Sequence, residues 1–189
     1  MRLSFDLGTL VLHDPPEEFQ PPACFRWDGR VDRWRAQAYQ YRTIIEEFKQ
    51  IGVQYANTAP AYRTLKLSSR LTQTPHPFQT EALAAWKSAG RRGVIVLPTG
   101  AGKSYIGQMA METVQRGTLI VAPTIDLMSQ WYDLLCAAFC EPVGIIGGGY
   151  YEPQDLTVTT YDSAYSHMDR LGNRWGFVIF DECHHLPGE

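Results

Sequence analysis

A glycine loop between an apolar run and a helical pattern constrains this chain more than any other feature. The apolar run, Val94–Leu97, is typical of a strand buried on both faces, and apolar residues then recur with helical spacing up to Gly117. A loop of this kind turns consecutive backbone N–H groups inward at the positive end of a helix dipole, where they can bind an anion. The sequence therefore predicts a strand, a phosphate-binding loop and a helix in succession.

The loop has the residue types that a nucleoside triphosphate requires. Gly100 and Gly102 let the backbone approach a phosphate closely, Lys103 can reach the β- and γ-phosphates, and the Ser104 hydroxyl can ligate Mg²⁺. Leu97 stands where the strict motif has glycine, and the alternative is a glycine turn that closes a strand–helix unit without a ligand. The predicted nucleotide-binding residues of the loop are Pro98, Thr99, Gly100, Ala101, Gly102, Lys103 and Ser104.

Length and charge limit the class of protein. The 189 residues suffice for one large domain or two small ones. A net charge of −3 excludes a globally basic, histone-like binder, so any nucleic-acid contact has to be local. No apolar run approaches the roughly 20 residues of a membrane span, and the N-terminus does not have the basic-then-apolar order of a signal peptide. We therefore expect a soluble, cytoplasmic protein with no membrane partner.

The four cysteines have no framework spacing, which favours reduced thiols. Cys136 and Cys140 share a predicted helix face, so a metal site completed by Cys183 and His184 is the alternative. Buried cysteine is the commoner outcome, and structural zinc sites usually have more closely spaced ligand pairs. Mg²⁺ at Ser104 is therefore the metal that the sequence predicts most directly.

Residues 1–57 predict a small α+β domain. Alternating apolar residues, a hairpin signal and an apolar helical stripe indicate strands over 2–13 and 23–36 and a helix from 39 to 51. On the last strand Arg33 and Arg35 lie on one face. Either they contact phosphates or they are simply solvated.

Residues 58–75 have little periodicity and many Ser, Thr and Pro residues, which predicts a linker. From 76 to 189 apolar strands alternate with helices, which predicts an α/β domain with a parallel sheet and helices on both faces. The predicted strands after the phosphate loop are 118–122, 143–146, 156–160 and 177–180, and the other helices are 78–89, 124–138 and 162–171.

An acidic pair, Asp181 and Glu182, follows the last predicted strand. Parallel sheets bind ligands at the carboxyl ends of their strands, where the phosphate loop also falls. Asp181 can hold Mg²⁺ together with Ser104, and Glu182 suits the base or the orienting group for an attacking water. The alternative is an acidic pair that caps the next turn. His184 either couples nucleotide state to the nucleic-acid side or simply packs.

Three motifs in this order resemble those of superfamily 2 helicases. Residues 98–104 are similar to motif I, 122–124 to motif Ia and 181–184 to the DExH form of motif II. Residues 156–165, 171–174 and 178–187 are similar to the XPB family, which acts in nucleotide excision repair and transcription, and residues 39–45 resemble the damage-recognition domain of prokaryotic XPB proteins.

The resemblance implies a RecA-like first motor domain that uses ATP and Mg²⁺, with Gln79 at the adenine-contacting position. It also places Pro123, Thr124 and the segment Thr159, Thr160 and Tyr161 along the nucleic-acid track, where helix N-termini and hydroxyls bind phosphates. The glycines at 147–149 with Tyr150 and Tyr151 form either an ordinary exposed loop or a surface that stacks on bases.

The XPB resemblance also implies a second motor domain after the last residue of this sequence. We therefore expect the chain alone to bind nucleotide weakly and hydrolyse little ATP. The whole protein is expected to be an ATP-dependent, 3′→5′ DNA helicase or translocase, nucleoid-associated in a prokaryote, acting on duplex and single-stranded DNA with a repair nuclease as a candidate partner. The alternatives are a DNA- or nuclease-docking module without motor activity and a restriction-type translocase subunit.

Overall fold

The computed structural model describes residues 1–185, apart from the side chains of Asp169 and His185. The chain forms two compact units. The first unit is Met1–Ala61 together with His167–Arg174, and the second is Tyr62–Ser166 together with the residues from Trp175 onward. No helix among the described residues is both long and apolar enough to cross a membrane.

The first unit is a five-stranded sheet with one helix packed on it. Its sheet order is β3-β4-β2-β1-β5, antiparallel except where β5 runs parallel to β1. Leu3, Leu12, Ile44 and Phe48 are fully buried between sheet and helix. The elements are β1 (Arg2–Asp6), β2 (Thr9–His13), β3 (Arg26–Asp28), β4 (Arg33–Gln37), a 3-10 turn (Ala38–Gln40), α1 (Tyr41–Gln50) and β5 (Ala56–Asn57).

The second unit contains the predicted parallel sheet. Its order is β10-β6-β9-β7-β8, in which the first four strands are parallel and β8 pairs antiparallel with β7. The elements from residue 77 onward are α2 (Pro77–Ser88), α3 (Lys103–Val114), β6 (Thr118–Ala122), α4 (Ile125–Ala138), β7 (Val143–Gly147), β8 (Tyr150–Glu152), β9 (Leu156–Thr160), α5 (Tyr161–Ser166), α6 (Met168–Leu171, in the first unit), β10 (Phe177–Phe180) and a 3-10 turn (Cys183–His185).

The strand predicted at Val94–Leu97 does not form. The segment pairs with no described strand, and the side chains of Val94 and Val96 are 70% and 85% exposed. Within residues 1–185, β10 pairs only with β6, so its other edge is unpaired and Phe180 is half exposed. An apolar run becomes a strand only when its backbone groups find a ladder partner, and this segment has none.

The structure also differs from the sequence predictions in two smaller elements. The predicted helix over 162–171 is divided, because His167 leaves helical geometry between α5 and α6. The glycine loop at 147–149 consists of the last residue of β7 and a two-residue hairpin turn into β8, with all three glycines at positive φ. Tyr150 and Tyr151 lie on β8 and are exposed, at a strand that the sequence did not predict.

The segment before α2 packs into the second unit from Tyr62 onward. Leu65 and Leu67 are buried in its core. Gln115, in a left-handed conformation just after α3, accepts from the Leu67 N–H at 2.6 Å and donates to the Leu67 carbonyl at 2.8 Å. One helical turn earlier, Glu112 accepts from the Ser69 N–H at 2.6 Å. These side chains take the place of a regular ladder, so low periodicity here does not mean a free connector.

Candidate nucleotide site

The loop from Pro98 to Ser104 contains two glycines in a conformation that favours glycine, although the predicted strand before it does not form. Gly100 and Gly102 adopt φ of 80° and 75°, a left-handed conformation that favours glycine. A Cβ on Gly102 would lie 2.5 Å from Nε2 of Gln79, so a side chain there would displace the Gln79 amide. Helix α3 begins at Lys103 with no side-chain cap, which leaves its first N–H groups directed at the loop.

Lys103 and the acidic pair meet at one place. Lys103 Nζ lies 3.1 Å from Oε1 of Glu182, and both side chains are about one-third exposed. Oε2 of Glu182 lies 3.4 Å from Nδ1 of His184. The fold thus joins residues 79 positions apart in sequence into one charged cluster at the start of α3 and the end of β10.

Asp181 is fixed by four hydrogen bonds. Its N–H donates to the carbonyl of Val121 at 2.9 Å, which extends the ladder of β10 and β6 by one residue. Its Oδ2 accepts from Nε1 of Trp131 at 2.8 Å, and its Oδ1 accepts from the N–H of Glu182 at 3.0 Å. Its carbonyl accepts from the hydroxyl of Tyr161 at 2.9 Å. Burial raises the pKa of Tyr161, and the negative groups of Cys183, Asp181 and Glu182 raise it further, so this phenol stays a donor.

Two cavities adjoin the loop. One, of about 530 Å³, is lined by Lys103, Asp181 and Glu182 and by the apolar residues of β10 and of the segment before the loop. The other, of about 560 Å³, is lined by the loop residues Gly100 to Gly102, by Ser104, and by residues around the start of α2. Both volumes lie in the range of small-molecule sites. Ser104 and the loop glycines therefore line one cavity, while Lys103 and the acidic pair line the other, so the structure does not bring Ser104 and Asp181 into one cavity.

Gln79 is buried and joins α2 to the phosphate loop. Its Oε1 accepts from the N–H of His76 at 2.9 Å, as part of a capping box at the start of α2, and its Nε2 donates to the carbonyl of Ala101 at 2.9 Å. The rings of His76 and Phe78 stack beside it, with centroids 5.4 Å apart. The contact of Gln79 with adenine stays a prediction, and its observed contacts hold the loop.

Comparison with known protein families decides the class of this site. A family model described as Type III restriction enzyme, res subunit (ResIII) matches residues 72–189, which is more than half of the chain. The chain belongs to the ResIII helicase family. A second model, described as the Xeroderma pigmentosum group B helicase damage recognition domain, matches residues 3–67. This second model, together with the relatives described next, confirms the predicted resemblance to XPB helicases.

Individual relatives of this ResIII chain have XPB names. It is 38% identical over 166 residues to the DNA 3′-5′ translocase XPB2 of Sulfurisphaera tokodaii, covering 87% of this chain and 37% of the relative. It is 36% identical over 110 residues to the DNA 3′-5′ helicase XPB of Mycobacterium tuberculosis, covering 52% of this chain and 20% of the relative. The chain thus spans little more than a third of the longer-matched relative.

A solved structure confirms the fold class. The UvsW helicase from bacteriophage T4 superposes with a TM-score of 0.52 at 18% identity, covering 99% of this chain and 84% of that chain. At this identity the similarity shows the fold alone, and that fold is the α/β, RecA-like helicase fold that the sequence predicts. Membership of the ResIII family also implies that the chain uses a nucleotide.

The predicted nucleic-acid contacts in the second unit of this ResIII chain differ in how deeply they are buried. Pro123 and Thr124 follow β6, and the Thr124 hydroxyl caps α4 by accepting from the N–H of Leu127 at 3.2 Å. Thr159 is fully buried and Thr160 nearly so, and the Thr160 hydroxyl is bonded to Ser163. The structure therefore does not present the side chains of these two threonines to a nucleic acid strand.

The two arginines on β4 also differ in their contacts and exposure. Arg35 lies 2.6 Å from Asp6 and 3.5 Å from Asp28, and it donates to the Thr9 hydroxyl at 2.8 Å. Its guanidinium is therefore held within the first unit. Arg33 is exposed and donates to the carbonyl of Asp32 at 2.9 Å. Of the two arginines, only Arg33 has the exposure that a phosphate contact needs.

One functional contact could not be predicted from the sequence. Helical spacing predicts that Trp131 belongs to the buried face of α4, and the side chain is 4% exposed. Spacing does not show that its indole N–H points at Asp181, because the two residues are 50 positions apart. A buried tryptophan usually has a hydrogen-bond partner, and that is the one signal the sequence offers.

Proposed function

We propose that this chain binds ATP with Mg²⁺ at the loop from Pro98 to Ser104, as part of an XPB-type, ATP-driven DNA helicase or translocase. The observation that carries the proposal is the charged cluster, in which Lys103 Nζ lies 3.1 Å from Glu182 beside Asp181 at the start of an uncapped helix. A strand-end acidic pair that only capped a turn does not require this contact with a lysine at the start of a helix.

The donor set fits Mg²⁺. Among the described residues, no group of three or more His, Cys, Asp or Glu side chains is arranged to hold a metal ion. Mg²⁺ in nucleotide sites needs no such group, because one or two protein oxygens, substrate phosphates and water complete its shell. Asp181 and Ser104 would hold it, and when bound it would neutralise charge on the β- and γ-phosphates. The four cysteines are free thiols, and the alternative metal site is not needed.

The chain's own residues have separable roles in this proposal. Lys103 exchanges its contact with Glu182 for the phosphates, which frees the Glu182 carboxylate to accept a proton from, or orient, an attacking water. The N–H groups at the start of α3 bind phosphate oxygens. Catalysis of this type depends on positioning and charge neutralisation, so each residue acts only when the cluster is assembled.

The proposal extends to DNA through the first unit and the strand ends of the second. Arg33 in the first unit and Pro123 and Thr124 at the end of β6 are the candidates for phosphate contacts, whereas the hydroxyl of Tyr161 at the end of β9 already donates to the Asp181 carbonyl. The matches with a damage recognition domain and with relatives named for DNA helicase activity support this assignment. We infer a role in DNA repair or transcription at the nucleoid, with a nuclease as a candidate partner.

Replacement of Lys103 tests the nucleotide site. Lys103→Ala should weaken binding of a fluorescent ATP analogue in Mg²⁺ by about 10- to 100-fold, because hydrogen bonds between charged groups contribute roughly 1.5–3 kcal/mol each. Fluorescence anisotropy of the purified chain measures this. Lys87→Ala is the matched control, since Lys87 is an exposed lysine in the last turn of α2. Equal affinity in wild type and Lys103→Ala would refute the phosphate assignment.

A restriction-type translocase is the second candidate, because the description of the matched family model names a restriction subunit. The tandem match to the damage recognition model over residues 3–67 favours the XPB type. The gene of the whole protein discriminates the two candidates: a fused or adjacent nuclease with restriction activity would favour the restriction type.

A further inference from the structure

We propose that Trp131 and Tyr161 are positioning residues that hold Asp181 in place for the Mg²⁺–nucleotide, which rests on the proposed function. Each donates one hydrogen bond to Asp181, Trp131 to the side-chain Oδ2 at 2.8 Å and Tyr161 to the backbone carbonyl at 2.9 Å. The carboxylate and the peptide that carries it are thus fixed from two different elements, α4 and the start of α5.

The indole of Trp131 is wedged between α3 and β10. A Cβ built on Gly107, in the middle of α3, would lie 2.9 Å from Cη2 of Trp131 and 3.5 Å from Cδ1 of Ile179. Glycine in a helix interior costs roughly 1 kcal/mol relative to alanine, and at this position it leaves the space that the indole ring occupies. The helix that carries Lys103 therefore packs directly on the ring that orients Asp181.

Tyr161 fixes the backbone on the other side. Its ring stacks on Phe180, with centroids 6.2 Å apart and planes 14° apart, and its hydroxyl reaches the Asp181 carbonyl. The chain turns sharply at the next residue, because Glu182 has a φ of +48°, unusual for a residue other than glycine. The Tyr161 hydrogen bond holds the chain at this turn, where small changes would move both carboxylates.

Such contacts have consequences for metal binding. Groups that orient a metal ligand typically change metal affinity by about 10- to 100-fold when they are removed. Helices α4 and α5, which carry Trp131 and Tyr161, also begin at the predicted nucleic-acid contacts. Thr124 caps α4, and α5 begins at Tyr161 directly after β9. A movement of either element on DNA binding would therefore reach Asp181 through one hydrogen bond.

The test separates metal binding from nucleotide binding. The variants are Trp131→Phe and Tyr161→Phe, which remove the donor and keep an aromatic ring. The matched control is Trp175→Phe, because Trp175 donates its indole N–H to the Gln154 carbonyl at 3.1 Å in the same unit. Affinity for a fluorescent ADP is measured in EDTA and then during titration with Mg²⁺, with circular dichroism to verify folding.

We expect the affinity of both phenylalanine variants for ADP in EDTA to lie within twofold of wild type. The Mg²⁺ concentration that gives half of the metal-dependent change in ADP affinity should rise by about 10- to 100-fold. Trp175→Phe should match wild type. Gly107→Ala should shift the Mg²⁺ requirement in the same direction by displacing the indole, without altering either hydrogen-bonding group, and it serves if Trp131→Phe does not fold.

The outcomes distinguish the two levels of the proposal. If wild type responds to Mg²⁺ and all variants respond at the same concentration, the positioning role is refuted and the nucleotide site stands. If wild type binds ADP with no response to Mg²⁺, or binds no ADP, then the proposed function fails and the positioning role fails with it.

Discussion

At the scale of single residues, the best-defined ionic contacts of the first unit belong to the hairpin of β3 and β4. Asp28 accepts from Nε and Nη2 of Arg30 at 2.9 and 2.8 Å and from the Arg30 backbone N–H at 3.1 Å. Arg35 lies 3.5 Å from the same carboxylate and 2.6 Å from Asp6. These charges stabilise the hairpin internally, which explains why an arginine face on a strand is not by itself a DNA-binding surface.

The Asp28 carboxylate makes the stability of this unit depend on pH. The hydrogen bonds from Arg30, with the nearby charges of Arg30 and Arg35, lower its pKa from the ordinary 3.8 to about 2. A pKa that is lowered in the folded state stabilises the fold above the unfolded-state value, and this stabilisation is lost as the pH falls from about 4 towards 2.

Replacement of Asp28 should therefore remove part of the acid sensitivity. Asp28→Asn is expected to unfold at lower urea concentration than wild type at pH 5, and the difference should shrink progressively down to pH 2.5. Asp32→Asn is the control, since Asp32 is an exposed aspartate in the same hairpin whose left-handed backbone, at φ 49°, suits asparagine. A difference between Asp28→Asn and wild type that stays constant with pH would contradict the ionic role.

At the scale of elements, the sequence predicts strands most accurately where an apolar pattern coincides with burial in the sheet. The strands at 118–122, 156–160 and 177–180 are found at their predicted residues, because apolar runs with ladder partners on at least one side have few alternatives. Val94–Leu97 has the same composition and fails, because a strand also requires a neighbour that no local pattern reveals. Local residue spacing likewise cannot predict a long-range contact such as that of Trp131 with Asp181, because the partner is distant in the sequence.

The unpaired segment before the phosphate loop gives a prediction for hydrogen exchange. Backbone amides of Val94–Leu97 should exchange by at least two orders of magnitude faster than those of β6, because the latter are bonded to strands on both sides. Exchange monitored by mass spectrometry on the purified chain measures this. Protection of 94–97 equal to that of β6 would show that the segment is a sheet strand in solution.

At the scale of the whole molecule, two units with separate family matches are joined in one chain. The damage recognition model covers residues 3–67 and the ResIII model residues 72–189, and the boundary between the units lies at Ala61 and Tyr62. The predicted linker over 58–75 is thus mostly packed polypeptide of the second unit, held by Gln115 and Glu112.

The nucleotide site is the claim on which the proposed function depends, and a crystal structure of the chain with Mg²⁺ and a non-hydrolysable ATP analogue tests it most directly. The predicted result is triphosphate density against residues 98–104, with Lys103 moved from Glu182 to the phosphates and the metal between Ser104 and Asp181. Nucleotide density elsewhere, with the 3.1 Å contact between Lys103 and Glu182 unchanged, would contradict it.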